Sequence, residues 1–161
     1  MPSEKPRRFT FLLLERFTML PFTAAVEPLR LANRASGRNL YAWRLVGTGK
    51  DWATCSNGAR VALDGGLDDT TAERDDAIIV CGGTEIAREA TRPVLTWLRK
   101  QARGGATMGA VCTGAWILAE AGLLDARKAT IHWENHDGFA EAFPQVDLYR
   151  SVFVKDGNRL T

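Results

Sequence analysis

The sequence predicts an α/β fold with a doubly wound, mostly parallel sheet flanked by helices. Three observations carry this: short runs that are apolar throughout, helix-spaced apolar stretches between them, and glycines where the runs stop. Phe9 to Leu14 is dense enough to be a strand buried on both faces, and it reads as a central strand. Phe22, Ala25, Val26, Leu29 and Ala32 recur at helical spacing in a segment ending at Ser36-Gly37, with Pro28 expected to kink it. Tyr41 to Val46 alternates as a strand, Val61 to Leu63 suggests a short one, and Ala77 to Cys81 is a second buried run cut off by Gly82-Gly83.

Pro93 to Arg103 has proline in its first turn, apolar Val94, Leu95, Trp97, Leu98 and Ala102, and Gly104-Gly105 as a stop, so it reads as a helix. Ala106 to Val111 follows as a strand and Thr113 to Ala121 as a helix closed by Gly122, with Cys112 at their junction. Beyond these, Ala129 to Trp133 is expected to be a strand and Glu134 to Phe143 a helix stopped by Pro144. Ser151 to Val154 is expected to be a strand that turns at Asp156-Gly157.

Composition narrows the function classes. The chain has 161 residues, 45% of them hydrophobic, which suits one domain with one substantial core. Its 21 basic and 19 acidic residues are scattered, so no basic tract marks a nucleic-acid surface on this chain. No apolar run approaches the about 18 residues of a membrane span, and Met1 to Arg8 lacks the layout of a signal peptide. Three dispersed cysteines, Cys55, Cys81 and Cys112, match neither a disulfide framework nor a metal motif, and a reducing cytoplasm is the expected location. No metal or other cofactor is expected.

Sheets of this kind bind ligands beyond the carboxyl ends of their strands, where Cys81-Gly82-Gly83 and Val111-Cys112-Thr113-Gly114 both fall. Ala110 to Gly114 has the small-x-nucleophile-x-small pattern of a strand-to-helix elbow. A thiol at a helix start is nucleophilic, redox-sensitive, a hydrogen-bonding pocket wall, or a small residue filling the turn. Gly82-Gly83 is either a permissive turn or a place where backbone N–H groups approach an anion. His132 lies where it could meet the thiol as base or ligand donor, whereas His136 reads as structural or exposed. Trp133, Trp116 and Phe17, with Glu134, could form a cage for a cationic metabolite, while Trp43 and Trp97 read as packing residues.

Taken together, Gly109 to Asp125 (GAVCTGAWILAEAGLLD), Ala129 to Asn135 (ATIHWEN), Phe139 to Val146 and Phe22 to Asn33 resemble the amidotransferase-like sensor domain of AraC-family transcription regulators. The resemblance covers residues 8 to 161. It implies the ThiJ/PfpI superfamily, a class I glutamine amidotransferase-like or flavodoxin-like three-layer sandwich, and a homodimeric sensor joined to a C-terminal helix-turn-helix domain that lies outside this chain. Enzymes of that superfamily carry an acidic residue that hydrogen-bonds the cysteine, and often a histidine directly after it. Here Pro21 or Phe22 aligns with the acid and Thr113 follows Cys112, while Glu15 and Glu27 fall elsewhere, so His132 is the remaining candidate partner.

The expectation is therefore a noncatalytic domain in which Gly82, Gly83, Cys112, Thr113, His132, Trp133 and Glu134 bind a small polar effector. The resemblance implies an amino acid or a quaternary amine of the carnitine and betaine kind, with DNA reached only through the absent domain and no membrane partner. The competing readings are a hydrolase, hydratase or glyoxalase-like enzyme using Cys112 with His132 as base, and a redox sensor at Cys112. Because regulators of this kind continue past Asp156-Gly157, the chain is expected to be a sensor fragment. A missing helix would leave apolar sheet surface open or covered by a partner subunit.

Overall fold

The computed structural model describes residues 5–49 and 51–161. In chain order, β1 (Arg7–Leu13) leads to α1 (Met19–Ser36), then β2 (Tyr41–Gly47), β3 (Trp52–Thr54), β4 (Arg60–Ala62), β5 (Gly65–Gly66) and β6 (Ala77–Cys81). A 3₁₀ turn at Ile86–Glu89 precedes α2 (Arg92–Arg103), β7 (Thr107–Val111), α3 (Gly114–Glu120) and β8 (Lys128–Ala129). A second 3₁₀ turn, Trp133–Asn135, runs into α4 (His136–Ala142), followed by β9 (Asp147–Leu148), β10 (Lys155–Asp156) and β11 (Arg159–Leu160).

Among the described residues the main sheet has the order β10-β11-β7-β6-β1-β2-β5, parallel except for the β10–β11 hairpin. From β1 the chain winds outward to β2 and β5, then returns to β6 on the other side, so the winding reverses between β1 and β6. The doubly wound expectation holds.

Each central strand divides its side chains between two cores, as a strand covered on both faces must. Leu12, Leu14, Ile78, Val80, Met108 and Ala110 pack with Leu98, Ile117, Leu118 and Phe139 on the face covered by α2, α3 and α4. Phe11, Leu13, Ile79 and Cys81 pack with Phe22 and Val26 of α1 on the other. Two polar clamps fix the strand edges. Asp76, nearly buried before β6, accepts from Arg8 Nε at 3.1 Å and Nη2 at 2.8 Å, tying β6 to β1. Asn33 near the end of α1 donates to the Tyr41 carbonyl and accepts from the Leu40 and Tyr41 N–H groups, setting where β2 begins.

Several expectations shift. α1 stays helical through Pro28 and starts three residues before Phe22. The expected strand Ala129 to Trp133 reduces to the two residues of β8, because Thr130 N–H donates to Thr161 Oγ1 and His132 N–H donates to the Cys112 carbonyl instead of joining a ladder. The helix expected over Glu134 to Phe143 has a 3₁₀ first turn and becomes α-helical at His136. Ser151 to Val154 is not a strand: hairpin pairing begins with the Val154–Thr161 exchange, and Gly157 makes the turn at φ 59°. Val152 and Phe153 are 98% and 68% exposed, so the apolar content that suggested a strand forms an open surface.

The tightest backbone packing lies at the carboxyl edge. A Cβ on Gly83 would run into the Arg16 carbonyl, whereas one on Gly37, at φ 64°, would meet nothing within 4 Å. Gly83→Ala should therefore destabilise the fold by about 3 kcal/mol through overpacking. Gly37→Ala should lose only about 1 kcal/mol, for its left-handed backbone alone. Urea unfolding of the two variants checks the order; equal losses would contradict the described packing.

Candidate functional site

Three turns converge beyond the carboxyl ends of β1, β6 and β7. Thr18 N–H donates to the Gly82 carbonyl at 3.0 Å, and Thr113 Oγ1 donates to the Gly83 carbonyl at 2.7 Å. Gly82 N–H donates to the Val111 carbonyl at 3.4 Å, and His132 N–H to the Cys112 carbonyl at 3.2 Å. A Cβ on Gly82 would strike Thr113 and the Gly114 nitrogen, and one on Gly114 would strike the Val80 carbonyl. The glycines around the cysteine are thus required by close backbone approach.

Cys112 sits at this junction with φ 58°, a left-handed conformation that a side-chain-bearing residue holds only when its surroundings impose it. Arg16 and Glu85, also at positive φ, flank the same turns and pair with one another at 2.9 Å. Three of the four positive-φ residues other than glycine among the described residues therefore cluster here. Cys112 is half-buried, while Cys55 and Cys81 are buried. Burial, aided by the neighbouring Cys112, pushes the Cys81 thiol well above its ordinary range, so it stays protonated.

Thr18 is the hydrogen-bonding side chain that Cys112 Sγ meets among the described residues, with Oγ1 at 3.7 Å. It occupies the N-cap of α1, yet its hydroxyl makes no cap bond. Of the residues aligned with the superfamily's acid, Pro21 lies on the cavity wall and Phe22 is in the core. Glu15 is engaged elsewhere, accepting from Thr54 N–H at 3.3 Å, and Glu27 is held by Arg30 on the exposed side of α1. No carboxylate bonds the thiol among the described residues. His132 shares the cavity wall with Cys112, and its Nδ1 is 4.0 Å from Glu134 Oε2, at the outer limit of an ion pair.

The cavity has a volume of about 2080 Å³ and is lined mainly by apolar groups. Gly83, Cys112, Thr113, His132, Trp133 and Glu134 all lie on its wall; Gly82 does not, and its N–H is engaged by Val111, so an anion-cradling role for Gly82 is corrected. The aromatic cage, the less favoured reading of these rings, does not form. Phe17 is fully buried between the sheet and α1, Trp116 packs edge-on against Phe139 and Phe143, and Trp133 is 75% exposed at the rim. Trp97 is buried and donates to the Thr70 carbonyl, and Trp43 packs against the α1-side core, so both are packing residues as expected.

Sequence reasoning missed Thr18, and His136, read as structural or exposed, is a buried residue that lines the cavity. A hydroxyl at a helix N-cap was a legible signal for Thr18; nothing local marked His136. Among the described residues no cluster of His, Cys, Asp or Glu could hold a metal ion, and no helix is long and apolar enough to cross a membrane.

The chain is 44% identical over 159 residues to the HTH-type transcriptional regulator GbdR of Pseudomonas aeruginosa, an alignment spanning 99% of this chain and 43% of that protein. It is 43% identical over 153 residues to the HTH-type transcriptional regulator CdhR of the same species, spanning 95% and 45%. The chain thus spans less than half the length of these relatives. Among solved structures, an AraC family transcriptional regulator from Pseudomonas putida superposes with a TM-score of 0.82 at 29% identity, over 96% of this chain and 82% of that one. The model of the DJ-1/PfpI family matches residues 7–161, and this chain belongs to that family.

Proposed function

We propose that residues 8–161 are the effector-sensing domain of a cytoplasmic, homodimeric transcription regulator, binding a small polar metabolite without turning it over. The observation that carries this reading is the environment of Cys112: a strained thiol facing a large cavity, bonded by the hydroxyl of Thr18 where a catalyst needs a base and an orienting group. A hydroxyl neither accepts the thiol proton at neutral pH nor fixes an imidazole tautomer, so the elbow retains the shape of a nucleophile site without its proton path. The similarity to GbdR and CdhR supports the class of protein, and DNA contact is assigned to a segment outside this chain. The effector class is an amino acid or a quaternary-amine carboxylate, held by Gly83, Cys112, Thr113, His132, Trp133 and Glu134.

Thermal unfolding with a panel of α-amino acids and trimethylammonio acids tests the reading. A ligand at 100 times its Kd should add about 2.7 kcal/mol and raise Tm by roughly 5–10 °C. Cys112→Ser should keep that shift within about 2 °C, since the thiol is a wall group in this account. Chemical conversion of any panel member by the native protein, lost in Cys112→Ser, would overturn the noncatalytic reading in favour of the thiol enzyme.

Thiol accessibility supplies a second check. In native protein at pH 8, iodoacetamide should modify Cys112 and leave Cys55 and Cys81 intact until denaturant is added. Saturating effector should slow the Cys112 reaction at least about tenfold by occupying the space in front of it. Equal labelling of Cys81 and Cys112 would contradict the described elbow, and an unprotected Cys112 would place the effector elsewhere.

A further inference from the structure

Two of the three cysteines, far apart in the chain, meet at the ends of adjacent strands. Cys81 closes β6 and pairs in register with Val111, the last residue of β7, so Cys112 comes one step further along the neighbouring strand. Parallel strands about 4.8 Å apart, with a rise of about 3.3 Å per residue, put the two Cα atoms about 6 Å from one another. That separation lies inside the window of about 4.4–6.8 Å that a disulfide spans.

Both side chains lie on the α1 side of the sheet. Cys81 packs in the α1-side core, and Cys112 Sγ meets the hydroxyl of Thr18, the N-cap of α1, at 3.7 Å. Thr18 N–H in turn donates to the carbonyl of Gly82, the residue after Cys81. The charge of Cys112 is felt at Cys81, where it adds to burial in keeping that thiol protonated. Cys55 is placed differently: it bridges to Phe17, which bridges to Gly83, so the Phe17 segment stands between Cys55 and the end of β6. The paired thiols also differ in access, because Cys112 is half-buried on the cavity wall and Cys81 is fully buried. A small oxidant entering the cavity reaches Cys112 alone.

We propose that Cys81 and Cys112 are a dithiol pair that a hydroperoxide converts to an intramolecular disulfide, with Cys112 as the oxidised thiol and Cys81 as the resolving one. Cys112 Sγ attacks one peroxide oxygen: the O–O bond breaks, an S–O bond forms, and the thiol proton goes to the departing oxygen, which leaves as water or an alcohol. Two electrons have passed from sulfur to the peroxide. Cys81 Sγ then attacks Cys112 Sγ: the S–O bond breaks, an S–S bond forms, and the Cys81 proton leaves with the hydroxyl as water. Because the departing hydroxyl takes up that proton, the second step needs no separate base, which suits a thiol that burial keeps protonated. Burial also shields Cys81 from the oxidant, so it stays reduced until the sulfenic acid forms beside it. The link changes a residue of the cavity wall, and so couples oxidant exposure to that cavity whether or not the effector reading holds.

Peptide mapping tests the pair, since tryptic peptides 51–60, 75–88 and 104–127 carry one cysteine each. Native protein is treated with a small molar excess of hydrogen peroxide, alkylated with iodoacetamide in denaturant and digested without reductant. Peptides 75–88 and 104–127 should appear joined, two hydrogens lighter than the sum of their thiol forms and separable by dithiothreitol, with peptide 51–60 alkylated. Cys81→Ala should abolish the link and raise the yield of sulfinic acid on Cys112 at least about fivefold at the same dose, because the competing resolution is gone. Cys55→Ala should leave the link unchanged. Native protein in which Cys112 is unoxidised, or is a sulfinic acid, while Cys81 remains alkylated overturns the proposal, and this arm needs no variant. A link from Cys112 to Cys55, or between two copies of Cys112, overturns it as well.

Discussion

The close approach of three backbone turns at the carboxyl edge of the sheet is the constraint on which the rest of the site depends. Gly82, Gly83 and Gly114 let the ends of β1, β6 and β7 touch at distances that a single Cβ would forbid. Four hydrogen bonds stitch this edge together, three of them from the backbone N–H groups of Thr18, Gly82 and His132 and one from the Thr113 hydroxyl. This scaffold holds Cys112 in its left-handed conformation. The strand reversal between β1 and β6 opens space above that edge, and the cavity follows from it.

The same architecture separates geometry from reactivity. Backbone packing alone maintains the elbow, so its shape survives changes in the side chains that would make the thiol a nucleophile. Thr18 faces Sγ, Pro21 and Phe22 carry no carboxylate, and Glu15 and Glu27 are committed to other partners. Loss of an acid–base pair costs such a fold little stability, because the two cores on either face of the sheet hold the strands regardless. The proposed receptor reading draws on this independence, and the apolar wall with a few polar groups is a composition common to small-molecule sites.

Much of the fold was legible in the chain because the central strands are apolar on both faces and end at glycine. Phe9 to Leu14, Ala77 to Cys81 and Ala106 to Val111 fall within a residue or two of β1, β6 and β7. Legibility fails where the chain's hydrogen bonds go to irregular partners. Thr130 and His132 look like a strand by composition, yet their N–H groups go to Thr161 and Cys112. Val152 and Phe153 look buried and are exposed. At the site, the cysteine elbow was visible from small-residue spacing and Thr18 from its N-cap position, whereas the meeting of Thr18 with Cys112 depends on how distant elements fold together, and no cage of Phe17, Trp116 and Trp133 forms because Phe17 is pulled into the core.

The most direct measurement of the central claim is a crystal structure of the protein grown with whichever panel ligand stabilises it most. The account predicts an intact ligand in the cavity, in van der Waals contact with Cys112 and with no covalent bond to Sγ. A thioester, thioether or hydrolysed product joined to that sulfur would contradict it.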